Sequence, residues 1–158
     1  MHIRTSKKPT KVNLPLVKKA INWYASQLLS KRLKNNITIN LKFTENLYKE
    51  TKCLAYCTWE DDNLKPREFE IEIDVNLSQQ QMLKSLAHEM VHVKQYATGQ
   101  LKDLSKSLAI KWEGEYYSIS SQDTHEEQYW FSPWEIEAYG REVGLYVLFK
   151  KSLKSNRK

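Results

Sequence analysis

Two histidines and a glutamate in the middle of the chain have the spacing of a metal site. Residues 88–92 read His88-Glu89-Met90-Val91-His92, a His-Glu-x-x-His motif. On an α-helix, residues four apart lie on one face, so His88 and His92 can direct two imidazoles at a single metal ion. Glu89 lies beside them, where it can reach a water on the metal and act as a general base. The motif predicts one Zn²⁺ per chain, with Glu89 as the catalytic residue.

A helix over about 78–98 must carry this motif. Ser78 and Gln81 form a capping box at its start, and Gly99 is suited to its end. Most positions around the helix are apolar, which is typical of a buried helix. The positions predicted to face solvent are Lys84, Lys94 and Gln95. Histidines on such a helix need a partner, and a metal ion provides one.

A third protein ligand must come from elsewhere, because catalytic zinc usually takes three protein ligands and a water. The metzincin continuation of the motif is absent, since Gln95 and Thr98 stand where it requires glycine and histidine. The alternatives are Glu135, Glu137 and His125. His125 lies in a polar loop predicted over 120–128, which favours a position at the surface or at the rim of the site.

A helix predicted over about 133–152 separates the two glutamates. Glu135 and Glu142 fall between two apolar sectors and should point inward, whereas Glu137 is placed to pair with Arg141 at the surface. This orientation favours Glu135 as the ligand, although a capping box begun by Ser132 would also explain a glutamate there. Glu142 is either an acceptor for a ligand imidazole N–H or an ordinary buried polar contact. Gly140 and Gly144 lie next to one of these sectors, the one that contains Ile136 and Val143, and they predict a close approach to another helix.

The remaining patterns predict one α+β domain. Helical spacing runs from Pro15 to about Leu33, and residues 37–43, 53–59 and 69–75 read as strands. The third strand alternates strictly, so its apolar side should face the core and its acidic side water or a substrate. A hairpin is expected to turn near Gly114. The only two cysteines, Cys53 and Cys57, are interpreted as reduced core residues.

Charge is concentrated at the two ends of the 158-residue chain. The net charge is +6, but residues 1–19 and 150–158 carry eleven basic residues and no acid. We therefore predict a basic flexible arm (1–12), a single domain (13–152) and a basic tail (153–158). Basic ends can bind nucleic acid, or they are solvated tails. The chain has neither a long apolar run nor a secretory signal, so we expect a cytoplasmic protein without membrane contact.

Three segments together resemble small zincin metallopeptidases of phages and bacteria, often described as SprT-like. These segments are residues 88–96, Trp112-Glu113-Gly114 and residues 133–139, and the resemblance covers roughly residues 67–149. It implies a zincin-like fold with an N-terminal helix, a small mixed sheet, a central metal helix below the sheet and a C-terminal ligand helix. It also implies a protein of a bacterial cell or of a phage-infected host cell.

The last helix is similar to the ligand helix of gluzincins such as the ImmA/IrrE-type peptidases. In their Glu-x-x-x-Asp/Asn pattern the first glutamate binds zinc, which carries over to Glu135, while Tyr139 replaces the Asp or Asn. SprT proteins take a histidine as third ligand, and this chain departs from them there. The implied function is a zinc peptidase acting on proteins or peptides. The alternatives are an SprT-like protein acting on DNA-bound proteins and a structural or regulatory zincin that does not cleave.

Peptide hydrolysis also needs a donor to the tetrahedral oxyanion. Tyrosines and one histidine are the candidates, and the sequence does not choose among them: Tyr96, Tyr116, Tyr117, Tyr129 and His125. By analogy with other zincins, an extended substrate should pair with an edge strand above the metal, expected within residues 67–75.

Overall fold

The computed structural model describes residues 1–6, 9–61, 63–104, 109–118 and 129–155. The elements in chain order are β1 (His2–Thr5), α1 (Leu14–Leu28), α2 (Lys31–Asn35), β2 (Thr38–Thr44), α3 (Leu47–Thr51), β3 (Ala55–Trp59), β4 (Glu68–Asp74), α4 (Gln79–Thr98), β5 (Leu101–Leu104), β6 (Ala109–Trp112), β7 (Glu115–Ser118) and α5 (Pro133–Ser155). The predicted α+β class is confirmed. None of the helices in these ranges has the length and apolarity needed to cross a bilayer.

The larger sheet and two helices enclose the core. Its strand order is β1-β2-β4-β3, with β1, β2 and β4 parallel and β3 antiparallel to β4. Apolar side chains that alternate along β2 and β4 are fully buried together with side chains of α1 and α4. The phenol of Tyr24 on α1 donates to the carbonyl of Leu83 on α4 at 3.1 Å. Helix α4 is therefore buried between the sheet and the other helices.

The central position of β4 corrects two expectations. It pairs with β2 on one side and β3 on the other, so residues 67–75 do not contain the edge strand, and β3 takes that place. Its acidic side is not simply solvated either, because Glu72 is only 3% exposed. Neighbouring strands supply the donors that make this burial tolerable: Lys42, Thr44 and Tyr56 all hydrogen-bond the Glu72 carboxylate.

The prediction that residues 1–12 form a flexible arm is wrong for residues 2–5. They form β1, which pairs in parallel with β2 in the register Ile3↔Ile39, and Arg4 lies 3.2 Å from Glu68. Main-chain hydrogen bonds to an open sheet edge need no hydrophobic periodicity, so a four-residue strand left no pattern. The tail is also shorter than predicted: α5 continues to Ser155, and Leu153 packs against the core. Residues 156–158 lie outside the described residues.

The turns follow local sequence signals closely. The capping box of Ser78 and Gln81 opens α4, and Gly99 ends it with a φ of +78°. Glu113 and Gly114, both with positive φ, turn the β6–β7 hairpin as predicted. The first helix instead ends at Leu28, because Ser30 caps a separate short helix. Of the two free thiols, Cys53 is exposed and Cys57 is half-buried against the core, so the predicted core position is wrong for Cys53.

Helix α5 buries only one of its two apolar sectors. Ala138, Leu145 and Phe149 are buried, whereas the sector with Ile136 and Val143 is mostly solvent-exposed. Nothing lies within 4 Å of where a Cβ would stand at Gly140 or Gly144, so the predicted close approach at these glycines is wrong. The glutamates between the sectors nevertheless point inward, since α5 packs extensively against α4. This contact builds the site.

Candidate metal centre

Three side chains from two helices converge on one point. His88 and His92 lie one turn apart on α4, and Glu135 comes from the first turn of α5. The two Nε2 atoms are 3.1 Å apart, and the Glu135 carboxylate oxygens lie 3.2 Å from His88 Nε2 and 3.4 Å from His92 Nε2. All three residues are buried, and their candidate ligand atoms fall within 4.8 Å of one another. This group could hold a metal ion.

The outer nitrogen of His92 is bound by a buried glutamine. Gln95 Oε1 lies 2.8 Å from His92 Nδ1, and Gln95 Nε2 donates to the Trp134 carbonyl at 2.9 Å and to Glu137 Oε2 at 3.0 Å. Both partners of the amide nitrogen are acceptors, which determines the orientation of the amide. Oxygen Oε1 therefore faces the imidazole, and Nδ1 of His92 is the donor.

A carboxylate faces the outer nitrogen of His88. Glu142 Oε2 lies 3.3 Å from His88 Nδ1, which favours a proton on that nitrogen. Glu142 thus lies where it can accept from the imidazole of His88, one of the two alternatives that the sequence left open. Such outer contacts set the tautomer and the ring orientation of metal-binding histidines. The ring of Tyr139 adds a packing contact, 4.5 Å from the His88 ring.

With their Nδ1 atoms turned to Gln95 and Glu142, both imidazoles direct Nε2 at the Glu135 carboxylate. Glu135 Oε2 is buried and has no hydrogen-bond partner of adequate geometry among the described residues. Burial lowers the pKa of His92, but the nearby Glu135 and Glu89 carboxylates outweigh it and raise the pKa to about 9. The cluster thus attracts positive charge. Two nitrogens and a carboxylate oxygen also suit Zn²⁺, so the donor set fits this ion.

Glu89 belongs to the site but not to the converging group. It is buried beside His88 and lines a cavity of about 890 Å³ that also contains His88 and Glu142. Burial raises the pKa of the Glu89 carboxyl, although the neighbouring histidines oppose this effect. A carboxylate with a raised pKa, facing open space next to the converging ligand atoms, has the position that a general base requires.

The candidate oxyanion donors are distributed over different places. Tyr129 lines the cavity, and its hydroxyl lies 3.2 Å from that of Tyr139, which lines it too. Tyr96 packs on the Trp59 ring with centroids 4.3 Å apart. Tyr116 and Tyr117 lie on β7, both exposed. His125 lies outside the described residues.

Two residues near the histidines were missed or misjudged from sequence. Gln95, predicted to face solvent, is fully buried, and Glu137 binds Lys94 and Gln95 in addition to its predicted partner Arg141. Glu137 therefore accepts a hydrogen bond from the Gln95 amide and helps to hold the amide against His92. The position of Gln95 could have been predicted from its spacing, because a residue three positions after His92 lies on the same face of the helix.

Comparisons with protein-family models, curated proteins and solved structures find no match to this chain. The resemblance to zincins thus depends on the motif segments alone. A nucleic-acid partner, an SprT-like role and a non-cleaving zincin likewise stay predictions. Any assignment of function therefore depends on the arrangement of the residues in the site.

Proposed function

We propose that this protein is a zinc-dependent metallopeptidase of the zincin type. Zn²⁺ would be held by His88, His92 and Glu135, and Glu89 would be the general base. The observation that carries the proposal is the convergence of three buried ligand groups, one of which, His88, lines an open cavity together with Glu89. Two histidines and one glutamate, with a fourth position open, are a ligand set of catalytic zinc.

The residues of the site have distinct chemical tasks in peptide hydrolysis. Zinc bound by such a set polarises the scissile carbonyl and lowers the pKa of water. Glu89 accepts the proton of the attacking water and passes it to the leaving amine. Tyr129 and Tyr139, whose hydroxyls lie 3.2 Å apart, line the same cavity, which supports a role as donors to the oxyanion. Gln95 and Glu142 keep the two imidazoles oriented.

The edge strand β3 supplies a surface for an extended substrate. Its main-chain groups on the side away from β4 have no neighbouring strand among the described residues, and Ala55 at its start lines the cavity. An extended peptide can add to such an edge through main-chain hydrogen bonds. The proposed substrate is accordingly an unfolded or flexible segment of a protein, bound alongside β3.

The test compares wild-type protein with Glu89→Gln on a peptide mixture derived from a whole proteome. Wild type should contain about one zinc per chain and cleave the mixture. Glu89→Gln should retain zinc and fold but lose turnover by roughly 10²–10⁴-fold, the usual scale for losing a general base. Glu115→Gln, at an exposed position on β7, is the matched control and should keep full activity.

Each outcome addresses a different part of the proposal. Zinc-loaded wild type that cleaves nothing would overturn the peptidase function. Undiminished cleavage by Glu89→Gln would remove Glu89 from the mechanism. Folded protein that takes up no zinc would exclude the proposed metal centre.

A further inference from the structure

The cavity beside Glu89 extends along α4 toward the start of the helix. Gln81, Lys84 and Ser85 line it together with His88, and Lys84 precedes His88 by one helical turn. Residues 51–55, which lead from α3 into the edge strand, also line the cavity. A molecule that fills the cavity next to His88 therefore also meets these two segments.

Two lysines line this part of the cavity without a negative partner. The side-chain ammonium groups of Lys52 and Lys84 make no ion pair or hydrogen bond with another residue in the described part of the chain. By contrast, the lysines of two other places in the domain form ion pairs, Lys42 with Glu72 and Lys94 with Glu137, both at 2.8 Å. The positive charges of Lys52 and Lys84 are thus available to a bound molecule.

The acidic groups of the cavity are Glu89, beside His88 in the chain, and Glu142, which contacts His88 at 3.3 Å. The lining therefore carries both charges: acids at the histidines, and two lysines without a side-chain partner among the described residues. Charges on the wall of a cleft act on a ligand more strongly than charges on an open surface.

We propose that the substrate segment bound in this cavity carries a carboxylate, and that Lys52 and Lys84 receive it. This inference rests on the proposed peptidase function and adds a substrate class to it. The carboxylate has two possible sources, an aspartate or glutamate side chain and the C-terminus of the substrate chain. In either case the two lysines are specificity-determining residues, and substrates without the acidic group bind more weakly.

Binding to the zinc-loaded Glu89→Gln variant tests the inference without cleavage. Three labelled peptides of equal length are titrated by fluorescence anisotropy: one with internal glutamates and an amidated end, one neutral with a free C-terminus, and one neutral and amidated. Each is measured again with Lys52→Gln and Lys84→Gln added. Lys31→Gln and Lys150→Gln, two exposed lysines outside the cavity, remove the same charge in the matched control.

At least one carboxylate peptide should bind roughly three- to tenfold more tightly than the neutral amidated peptide, the scale for two partly exposed charge pairs. This preference should disappear in the Lys52/Lys84 variant, persist in the Lys31/Lys150 control and weaken as salt is added. The carboxylate peptide that shows the preference identifies the source. Equal affinities for all three peptides, absence of any binding, or a preference that survives the loss of Lys52 and Lys84 would overturn the inference. Failure of the peptidase function would appear separately, as absence of cleavage by wild type.

Discussion

Glu72 and Glu135 are both buried glutamates, but their surroundings are opposite. Glu72, 3% exposed on β4, is surrounded by donors from Lys42, Thr44 and Tyr56. Glu135, 7% exposed on α5, faces the Nε2 atoms of two imidazoles whose outer nitrogens are turned to Gln95 and Glu142, and its Oε2 makes no hydrogen bond of adequate geometry to a described residue. The first carboxylate is satisfied by the chain itself. The second needs a cation, which is why only the second indicates a ligand.

The pKa values of Glu72 and Glu135 also show that the partners of a buried carboxylate, and not its burial, decide its role. Burial raises the pKa of Glu72, but hydrogen bonds from Lys42, Thr44 and Tyr56 outweigh it and lower the pKa below its ordinary 4.5. Burial also raises the pKa of Glu135, but its close contacts with the two histidines outweigh burial and bring the pKa to about 2. A lowered pKa therefore does not separate a structural carboxylate from a ligand. The identity of the partners does.

Removing the Glu135 carboxylate should have the largest effect on metal binding. We expect Glu135→Ala to weaken zinc affinity by more than about 100-fold, beyond the scale for losing an outer contact of a ligand, because a direct ligand is lost. Excess zinc should restore part of the activity. Competition with a chelator measures the affinity, and Glu72→Gln is the control that should bind zinc like wild type. Equal zinc affinities of Glu135→Ala and wild type would remove Glu135 from the ligand set.

Changing the residue behind a histidine should have an intermediate effect. Glu142→Gln keeps the shape of the side chain but removes the charge that faces His88 Nδ1 at 3.3 Å, and we expect zinc affinity to fall by about 10–100-fold. Glu137→Gln, one contact further from the metal through Gln95, should cost less. The same chelator competition ranks the variants. A larger loss for Glu137→Gln than for Glu142→Gln would contradict the assigned order of contacts.

The structural carboxylate should affect stability rather than metal binding. Glu72→Gln keeps some hydrogen bonding but loses the charge paired with Lys42, so we expect a loss of about 1 kcal/mol in the free energy of unfolding. Denaturant unfolding of the two proteins measures this loss. A drop in zinc affinity without a drop in stability would reverse the comparison between Glu72 and Glu135.

The stability difference should also depend on pH in a defined direction. The pKa of Glu72 is lowered in the folded state, so its contribution is complete above its ordinary pKa of 4.5 and is lost as the pH falls through the folded-state pKa. The gap between wild type and Glu72→Gln should be constant above about pH 4.5 and close below it. A gap that widens on acidification would contradict the assigned partners.

Local patterns predicted most of what lies within one helix or one turn. The capping box, the helical spacing of His88 and His92, and the inward direction of Glu135 all depend on residues a few positions apart. Features made by distant segments were missed. The pairing of β1 with β2, the interior position of β4 and the donors around Glu72 join strands that are far apart in sequence. Gln95 shares the helical face of His92, but it was predicted to face solvent because the α5 groups that bind it, the Trp134 carbonyl and Glu137, are distant in sequence.

Helix α5 holds Glu135 while leaving much of its outer side to solvent. A zinc ion shared by His88, His92 and Glu135 would thus tie α5 to α4, and by linkage the binding free energy would add to the free energy that keeps α5 docked. Withdrawal of zinc should loosen α5 before the sheet opens, since helices held by one face belong to the less stable parts of a fold. The concentration of free zinc around the protein would then set how long the chain survives other proteases.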